Sequence, residues 1–167
     1  KNGVFATILV SCIACSMLST ALNTALPQIL VDFKIDSSTG QWLTSIYSLV
    51  MGILTLATPF LIRRFSARGL YLCTLLIFLL GLLLSGCTTS FGVMMAGRVL
   101  QAAGNGIMVA QGQVLILTMF PLEKRGSVMG IYGLAIGTSP VIAPALAGIV
   151  VDFFGWRMIF YIVAVVV

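Results

Sequence analysis

Hydrophobic runs recur along the whole chain and are separated by short polar segments. An α-helix needs about 20 residues to cross the hydrocarbon core of a bilayer. The runs predict five full spans and a partial sixth, at about residues 4–30, 41–62, 70–87, 91–120, 127–151 and 156–167. The last run is too short to cross. We therefore expect an all-α, polytopic transmembrane bundle with a truncated sixth helix, and we interpret residues 1–167 as a fragment of a larger protein.

Three spans carry polar residues at helical spacing, so that each has one polar face. These residues are Ser16, Ser19, Thr20, Asn23 and Pro27 in the first span, Thr44, Ser48, Met51, Thr55 and Thr58 in the second, and Arg98, Gln101, Asn105, Met108 and Gly112 in the fourth. Because an unpaired polar group is costly in hydrocarbon, these faces must contact something other than lipid. For the serines and threonines we favour hydrogen bonds between helices. For Arg98, Gln101 and Asn105 we favour a shared aqueous cavity, because a charge raises the cost of lipid exposure.

Arg98 is a lone permanent cation seven residues into an apolar helix. A guanidinium cannot lose its proton to escape a low dielectric. At the centre of a membrane helix it costs roughly 3 kcal/mol or more. We therefore expect Arg98 to face a watery cavity, a partner helix or a negatively charged ligand, which makes it the first candidate for a functional residue.

The fifth span has a face of small and helix-bending residues. They recur at steps of three and four: Gly126, Gly130, Gly133, Gly137, Pro140, Pro144 and Gly148. Glycine lets another backbone approach closely, and an internal proline removes a hydrogen bond and bends the helix. The pattern fits either a surface against which another helix slides or seals, or a static packing seam.

Composition supports an integral membrane protein and disfavours soluble classes. Hydrophobic residues make up 60% of the chain and charged residues 8%, with a mean hydropathy of +1.16. Soluble domains carry about 25% charged residues. The net charge of +5 lies in short loops, so it indicates topology and not a nucleic-acid partner. Residues 63–68 and 123–125 hold most cations on the side of Lys1, so the positive-inside rule places the N-terminus in the cytoplasm. We expect a multi-pass protein of the cell membrane.

Motifs of soluble enzymes and metal sites are missing from the sequence. The four cysteines, Cys12, Cys15, Cys73 and Cys87, lie in apolar stretches, and there is no histidine. We interpret the cysteines as packing residues rather than metal ligands. No strand precedes Gly104-Asn-Gly106 and no Lys-Ser/Thr follows, so it is not a phosphate loop. We therefore expect no enzymatic activity, no metal and no cofactor.

Four stretches resemble the N-terminal part of a major facilitator superfamily transporter, and more narrowly the fourteen-span drug:proton antiporter branch. They are Leu18-Ser-Thr-Ala-Leu-Asn23-Thr-Ala-Leu-Pro27; Gln41-Trp42-Leu43-Thr44 with Tyr47; Gly97-Arg98-Val-Leu-Gln101-Ala-Ala-Gly104-Asn-Gly106; and Pro140-Val-Ile-Ala143-Pro144-Ala-Leu-Ala147-Gly148 with Gly155-Trp156-Arg157. The resemblance covers essentially the whole chain. It implies the N-terminal six-helix half of a major facilitator fold.

The resemblance also implies alternating access, in which two helical bundles rock about a central site. Arg98 would belong to the proton-coupling site, and Gln101, Asn105 and Asn23 would line the cavity. The residues implied as a seal are Gly133, Gly137, Pro140, Pro144 and Gly148. Arg64, Arg68 and Arg125 would form a cytoplasmic gate, with anchoring by the positive-inside rule as the alternative.

The chain departs from the family pattern at three places. Leu18 stands where the first-span signature usually has a carboxylate, and Arg63 stands where the loop after span two usually has an aspartate. Ala143 and Ala147 replace typical glycines of span five, which keeps these positions small. The first departure leaves Arg98 without a carboxylate partner inside a span.

The leading hypothesis is proton-coupled efflux of drugs or other amphipathic compounds, powered by the proton gradient. The implied partners are the lipid bilayer, a small-molecule substrate and the remaining transporter spans. One alternative is an uptake transporter for a small nutrient or anion, in which Arg98 binds substrate charge. Another is a non-transporting membrane fragment or scaffold.

Overall fold

The chain folds into six α-helices in a computed structural model that describes residues 2–167. The helices are α1 (Asn2–Phe33), α2 (Ser37–Arg64), α3 (Ala67–Cys87), α4 (Phe91–Met119), α5 (Leu122–Phe154) and α6 (Arg157–Val166). Five of them, α1 to α5, are long and apolar enough to cross a membrane. Residues 2–167 contain no β-strand. The predicted all-helical bundle is thus confirmed.

Helices α1, α2, α3 and α5 extend beyond the predicted apolar spans, and short segments connect the six helices. Helix α5 begins at Leu122, five residues before the predicted span, and α2 begins at Ser37 rather than near residue 41. Hydropathy detects the part of a helix that lies in hydrocarbon, whereas backbone hydrogen bonds continue the helix through polar residues at its ends. Gly155 follows α5 with a φ of 83°, a conformation that glycine adopts without strain.

Two helix starts are organised by local side-chain hydrogen bonds. The Ser66 hydroxyl accepts a hydrogen bond from the backbone nitrogen of Gly69 at 3.2 Å, at the start of α3. In the first turn of α2, the Thr39 hydroxyl donates to the carboxylate of the preceding Asp36, and this bond lowers the pKa of the Asp36 carboxyl below its usual value. These contacts fix the short turns between α1 and α2 and between α2 and α3.

Helix α4 lies between α2 and α3 and makes its most extensive contacts with them, while α1 packs mainly against α5. Glycines allow α3 and α4 to approach closely. A Cβ added at Gly81 would lie 2.7 Å from the Gly97 carbonyl oxygen, and one added at Gly104 would lie 2.8 Å from the Thr74 carbonyl oxygen. Both distances are too short for real Cβ atoms, so this packing requires glycine.

Many large apolar side chains cover the outside of the bundle. Leu56 on α2 is 84% exposed and Val165 on α6 is 88% exposed. The interior holds large apolar residues such as Leu22, Phe78 and Met108, all fully buried, together with a few polar residues. This distribution suits a lipid environment, because lipid tails solvate exposed leucine and valine.

The bundle has two ends, and one of them, called the basic end below, carries most of the cationic side chains. The basic end carries Arg63, Arg64, Arg68, Lys124 and Arg125 at the α2–α3 and α4–α5 junctions. Lys1, which the topology prediction used, lies outside the described residues. At the opposite end, the Trp156 indole nitrogen donates to an Asp32 carboxylate oxygen at 2.6 Å and ties α1 to the start of α6.

Candidate functional site

The polar faces of α1 and α2 meet at one cavity of about 700 Å³. Its lining comprises Ser19, Thr20 and Asn23 of α1, Thr44, Tyr47, Ser48, Met51, Gly52, Thr55 and Leu56 of α2, and Arg98 of α4. Seven of these eleven residues belong to the polar faces that the sequence marks on α1 and α2. The cavity is therefore the place where the polar faces of two separate helices and the buried cation of a third come together.

The serine and threonine hydroxyls of the cavity mostly bond within their own helix. The Ser19 hydroxyl donates to the Ser16 carbonyl at 2.8 Å, and the Ser48 hydroxyl donates to the Thr44 carbonyl at 3.0 Å. Only Thr55 also reaches another helix, at 3.3 Å from the Gly106 carbonyl oxygen of α4. The prediction of hydrogen bonds between helices was therefore wrong for most of them, because a carbonyl three or four residues earlier is always within reach of these side chains.

Arg98 is completely buried and only partly paired. Its Nη1 donates to the Gln101 Oε1 at 2.7 Å, and its guanidinium carbon lies 4.1 Å from the ring centroid of Tyr47. This stacking over an aromatic face is a favourable cation–π contact. The Nε and Nη2 atoms have no hydrogen-bond partner. Arg98 therefore keeps unused donors beside the cavity.

No carboxylate of the chain lies in the middle of a helix to balance Arg98. The four acidic residues occur at the helix ends: Asp32, Asp36, Glu123 and Asp152. Leu18, which replaces a carboxylate of the family pattern, is fully buried and lines a second cavity of about 230 Å³ between α1, α5 and α6. All residues of that lining are apolar. Leu18 thus lies in an apolar region of the bundle, apart from the polar cavity that Arg98 lines.

Gln101 and Asn105 lie outside the cavity lining, contrary to the prediction from their spacing with Arg98. The Gln101 amide nitrogen donates to the Gly81 carbonyl and the Ser85 hydroxyl of α3, both at 2.9 Å. The Asn105 amide nitrogen donates to the Tyr47 hydroxyl of α2 at 2.7 Å. Because α4 is held tightly between α2 and α3, the amide nitrogens of Gln101 and Asn105 find partners on these helices instead of facing water, whereas the buried Asn105 Oδ1 has no hydrogen-bond partner.

Tyr47 connects these groups, although sequence reasoning assigned it no function. It is 3% exposed, accepts a hydrogen bond from Asn105, and offers its ring to Arg98. Its position three residues after Thr44 on the polar face of α2 was the available signal. A continuous chain of contacts runs through Gln101, Arg98, Tyr47 and Asn105. Its two middle residues, Arg98 and Tyr47, also line the cavity.

The other predicted residues lie away from the cavity. Arg64 and Arg68 are exposed at the basic end, and the Arg125 Nε donates to the Phe120 carbonyl at 2.9 Å. On α5, Gly133, Gly137 and Gly148 have no atom within 4 Å of an added Cβ, and Pro140 and Pro144 are exposed. The small-residue face of α5 therefore has no packing partner within residues 2–167. Residues on other faces of α5, including Ser139, Ala143 and Ala147, are buried instead.

The cysteines do not assemble into a metal site in the described part of the chain. Cys12 and Cys15 are buried on α1, whereas Cys73 and Cys87 are exposed on α3. Cys12 contacts the Tyr132 hydroxyl at 3.6 Å and the Met108 carbonyl at 3.9 Å. Residues 2–167 hold no group of three or more Cys, Asp or Glu side chains placed to bind a metal ion.

Residues 8–167 match the sequence profile of the Major Facilitator Superfamily. The chain belongs to this superfamily. It is 44% identical over 144 residues to the uncharacterized MFS-type transporter YcnB of Bacillus subtilis, a match that covers 86% of this chain and 30% of YcnB. As a member of this superfamily the chain is a multi-pass membrane protein, and its bacterial relatives support a location in the plasma membrane.

Two further relatives have named activities. The lincomycin resistance protein LmrB of Bacillus subtilis is 36% identical over 86% of this chain and 30% of its own length. The riboflavin transporter RibZ of Clostridioides difficile is 33% identical over 84% of this chain and 31% of its own length. The chain thus spans about a third of the length of the curated relatives it matches, and the names of these two relatives refer to chemically different compounds.

Proposed function

We propose that the chain forms part of a transporter that exports drugs or other amphipathic compounds in exchange for protons, by alternating access. The cavity between α1 and α2 is part of the substrate path, and the basic end faces the cytoplasm. The observation that carries this proposal is Arg98, a fully buried cation beside the cavity with two nitrogens that lack partners. A charge in this position is costly unless it has a function.

The size of the cavity and the relatives support small-molecule export. Pockets for drug-sized ligands have volumes of about 300–1,000 Å³, and this cavity has about 700 Å³. LmrB is named for lincomycin resistance, and a relative from Staphylococcus aureus, 31% identical over 86% of this chain and 32% of its own length, is named the multidrug efflux pump SdrM. The substrate class is the part of the proposal that these relatives support.

Proton coupling follows from the chemistry of the free guanidinium nitrogens. They are buried in the present arrangement of the helices. When the helices rearrange during alternating access, they donate to a carboxylate or to its bound water, and the positive charge lowers the pKa of a nearby carboxylate. Since the carboxylates of this chain lie at the helix ends, the proton carrier belongs to the remaining spans or to the ligand. No metal or organic cofactor takes part in this mechanism.

The proposal gives two further surfaces a function in alternating access. The small-residue face of α5, with Gly133, Gly137, Pro140, Pro144 and Gly148, seals against another helix of the full-length transporter. It is available for this purpose because it has no neighbour within residues 2–167. Arg64, Arg68 and Arg125, at the basic end, form contacts of the cytoplasmic gate.

The test is transport by the full-length protein in proteoliposomes with an imposed pH gradient. We expect Arg98→Ala to abolish gradient-driven export of an amphipathic dye, and Arg98→Lys to lower it at least tenfold, because lysine keeps the charge but lacks the planar array of donors. Arg157→Ala is the matched control, since it removes an arginine that lies outside the cavity lining, at the end of the bundle opposite the basic end. Wild-type export by a correctly inserted Arg98→Ala protein would refute the proposal.

Uptake of a small nutrient or anion is the second candidate, because a buried arginine without a counter-charge can bind substrate charge directly. The relative RibZ, named a riboflavin transporter, shows that this part of the superfamily is not confined to resistance proteins. Competition by small organic anions, with no competition by amphipathic dyes, would favour it. If the intact protein transports none of these compounds under a pH gradient imposed in either direction, the result would favour a non-transporting scaffold.

A further inference from the structure

Every serine and threonine hydroxyl that lines the cavity has its proton engaged. Each of these hydroxyls donates to a backbone carbonyl three or four residues earlier, at 2.7–3.1 Å. The residues are Ser19, Thr20, Thr44, Ser48 and Thr55. A hydroxyl has one donor and two acceptor lone pairs. Since a carbonyl can only accept, these five groups use their donors on the backbone and leave lone pairs for the cavity.

The remaining polar groups of the lining are Tyr47, Arg98 and Asn23. Tyr47 is only 3% exposed and its hydroxyl accepts a hydrogen bond from Asn105, so its O–H donor is largely shielded from the cavity. The Arg98 Nε and Nη2 atoms are buried and inaccessible to solvent. Asn23 is exposed in the lining, and its amide supplies one acceptor oxygen and the two accessible N–H donors of the wall. The accessible wall on α1 and α2 is thus rich in hydrogen-bond acceptors and carries no formal negative charge.

We propose that this acceptor wall selects substrates by their hydrogen-bond donors, so that the cavity takes amphipathic compounds that carry N–H or O–H groups. The inference deepens the proposed function and rests on it. An O–H group that already donates is polarised and becomes a better acceptor. Donors on a ligand therefore gain bonds to the wall, whereas a ligand that offers only acceptors meets lone pairs and loses hydration without replacement.

The position of the hydroxyls makes a substitution test possible. Valine has nearly the shape of threonine but lacks the oxygen, so Thr20→Val and Thr44→Val each remove one acceptor from opposite walls of the cavity. Thr118→Val is the matched control, because the Thr118 hydroxyl makes the same kind of bond, to the Leu115 carbonyl at 3.0 Å, at an exposed position outside the cavity.

The probes are two dansyl compounds with the same linker, one ending in a primary ammonium and the other in a trimethylammonium. Both carry one positive charge, so Arg98 repels them alike, but only the primary ammonium has N–H donors. Binding to the purified full-length protein is followed by dansyl fluorescence. We expect each cavity threonine substitution to raise the Kd of the ammonium probe about fivefold. The Kd of the trimethylammonium probe should change less than twofold, and Thr118→Val should leave the Kd of both probes unchanged.

The inference would be overturned if the cavity substitutions weakened the binding of both probes equally, or of neither probe. It would also be overturned if the wild-type protein did not bind the ammonium probe. Unaltered thermal unfolding of the valine variants excludes misfolding as the cause of a loss. Gradient-driven export is measured separately. Export of both probes with no effect of the valine substitutions would reject donor selection and leave the proposed function intact. Selective binding without export would reject the proposed function alone.

Discussion

Gly104→Ala tests the close contact between α3 and α4 that positions Arg98 and Gln101. An alanine Cβ at this position would lie 2.7 Å from the Phe78 Cβ, 2.8 Å from the Thr74 carbonyl oxygen and 3.1 Å from the Phe78 Cα. Carbon atoms in good contact are about 3.5–4.0 Å apart. The three neighbouring atoms belong to the backbone or are directly attached to it, so no side-chain rotation relieves the overlap and the helices must separate.

The expected loss of stability is about 2 kcal/mol. Overpacking of a well-packed interior costs about 1–3 kcal/mol, and a clash with backbone belongs at the upper end of this range. Replacement of glycine by alanine inside a helix returns at most about 1 kcal/mol. A net loss of about 2 kcal/mol lowers the folding equilibrium constant roughly 30-fold.

The assay is unfolding of the purified protein by sodium dodecyl sulfate, followed by near-ultraviolet circular dichroism. Gly92→Ala is the control on the same helix, because its nearest atom, the Ser90 Oγ, lies at an ordinary 3.9 Å from the added Cβ. It should leave the stability unchanged or raise it by up to about 1 kcal/mol, because only the helix-propensity gain applies at this position. Equal stability of the Gly104→Ala and Gly92→Ala proteins would refute the close contact. The close contact would also be refuted if Phe78→Ala restored the stability of the Gly104→Ala protein. An alanine at position 78 keeps the Cβ atom that overlaps with the added Cβ at position 104, so it should not relieve the overlap.

Two substitutions test polar contacts between other elements. Gln101→Ala removes the oxygen that accepts from the Arg98 Nη1 and the two bonds that the Gln101 amide nitrogen donates to α3. It should destabilise the protein by about 2–4 kcal/mol in the same assay. A change of less than about 0.5 kcal/mol would contradict the buried network. Trp156→Phe keeps an aromatic side chain but loses the indole N–H that bonds Asp32 and part of the buried ring, so it should cost at least about 1 kcal/mol. The same substitution in an Asp32→Ala background should then cost clearly less, and an undiminished cost would show that the bond contributes nothing.

The predicted spans differ from the structure mainly at their ends, and the reason is physical. A bilayer requires about 20 apolar residues and internal backbone pairing, so the number and type of spanning elements are encoded locally. The ends lie outside hydrocarbon, where polar residues also form helix, as at Leu122–Phe154. The own-helix bonds of Ser19 and Ser48 were local as well, and the spacing of a hydroxyl from its preceding carbonyls was sufficient to predict them.

The site itself depended on contacts that are distant in sequence. The cost of a buried charge predicts that Arg98 avoids lipid, and the structure places it fully buried beside the cavity. That Gln101 turns to α3 follows from the close approach of Gly81 and Gly97, which no periodicity on α4 contains. The contact between Tyr47 and Arg98 likewise needs α2 and α4 side by side.

The sequence by itself determined the membrane class, the helical architecture, the superfamily and the polar faces, because hydropathy, helical periodicity and motif spacing are properties of neighbouring residues. Only the tertiary structure decided which faces meet. It joined the polar faces of α1 and α2 in one cavity, turned Gln101 and Asn105 toward neighbouring helices, and left the small-residue face of α5 without a partner in residues 2–167. The physical reason is that helix packing is chosen by shape complementarity between segments far apart in the chain, and a single helix does not specify its neighbour.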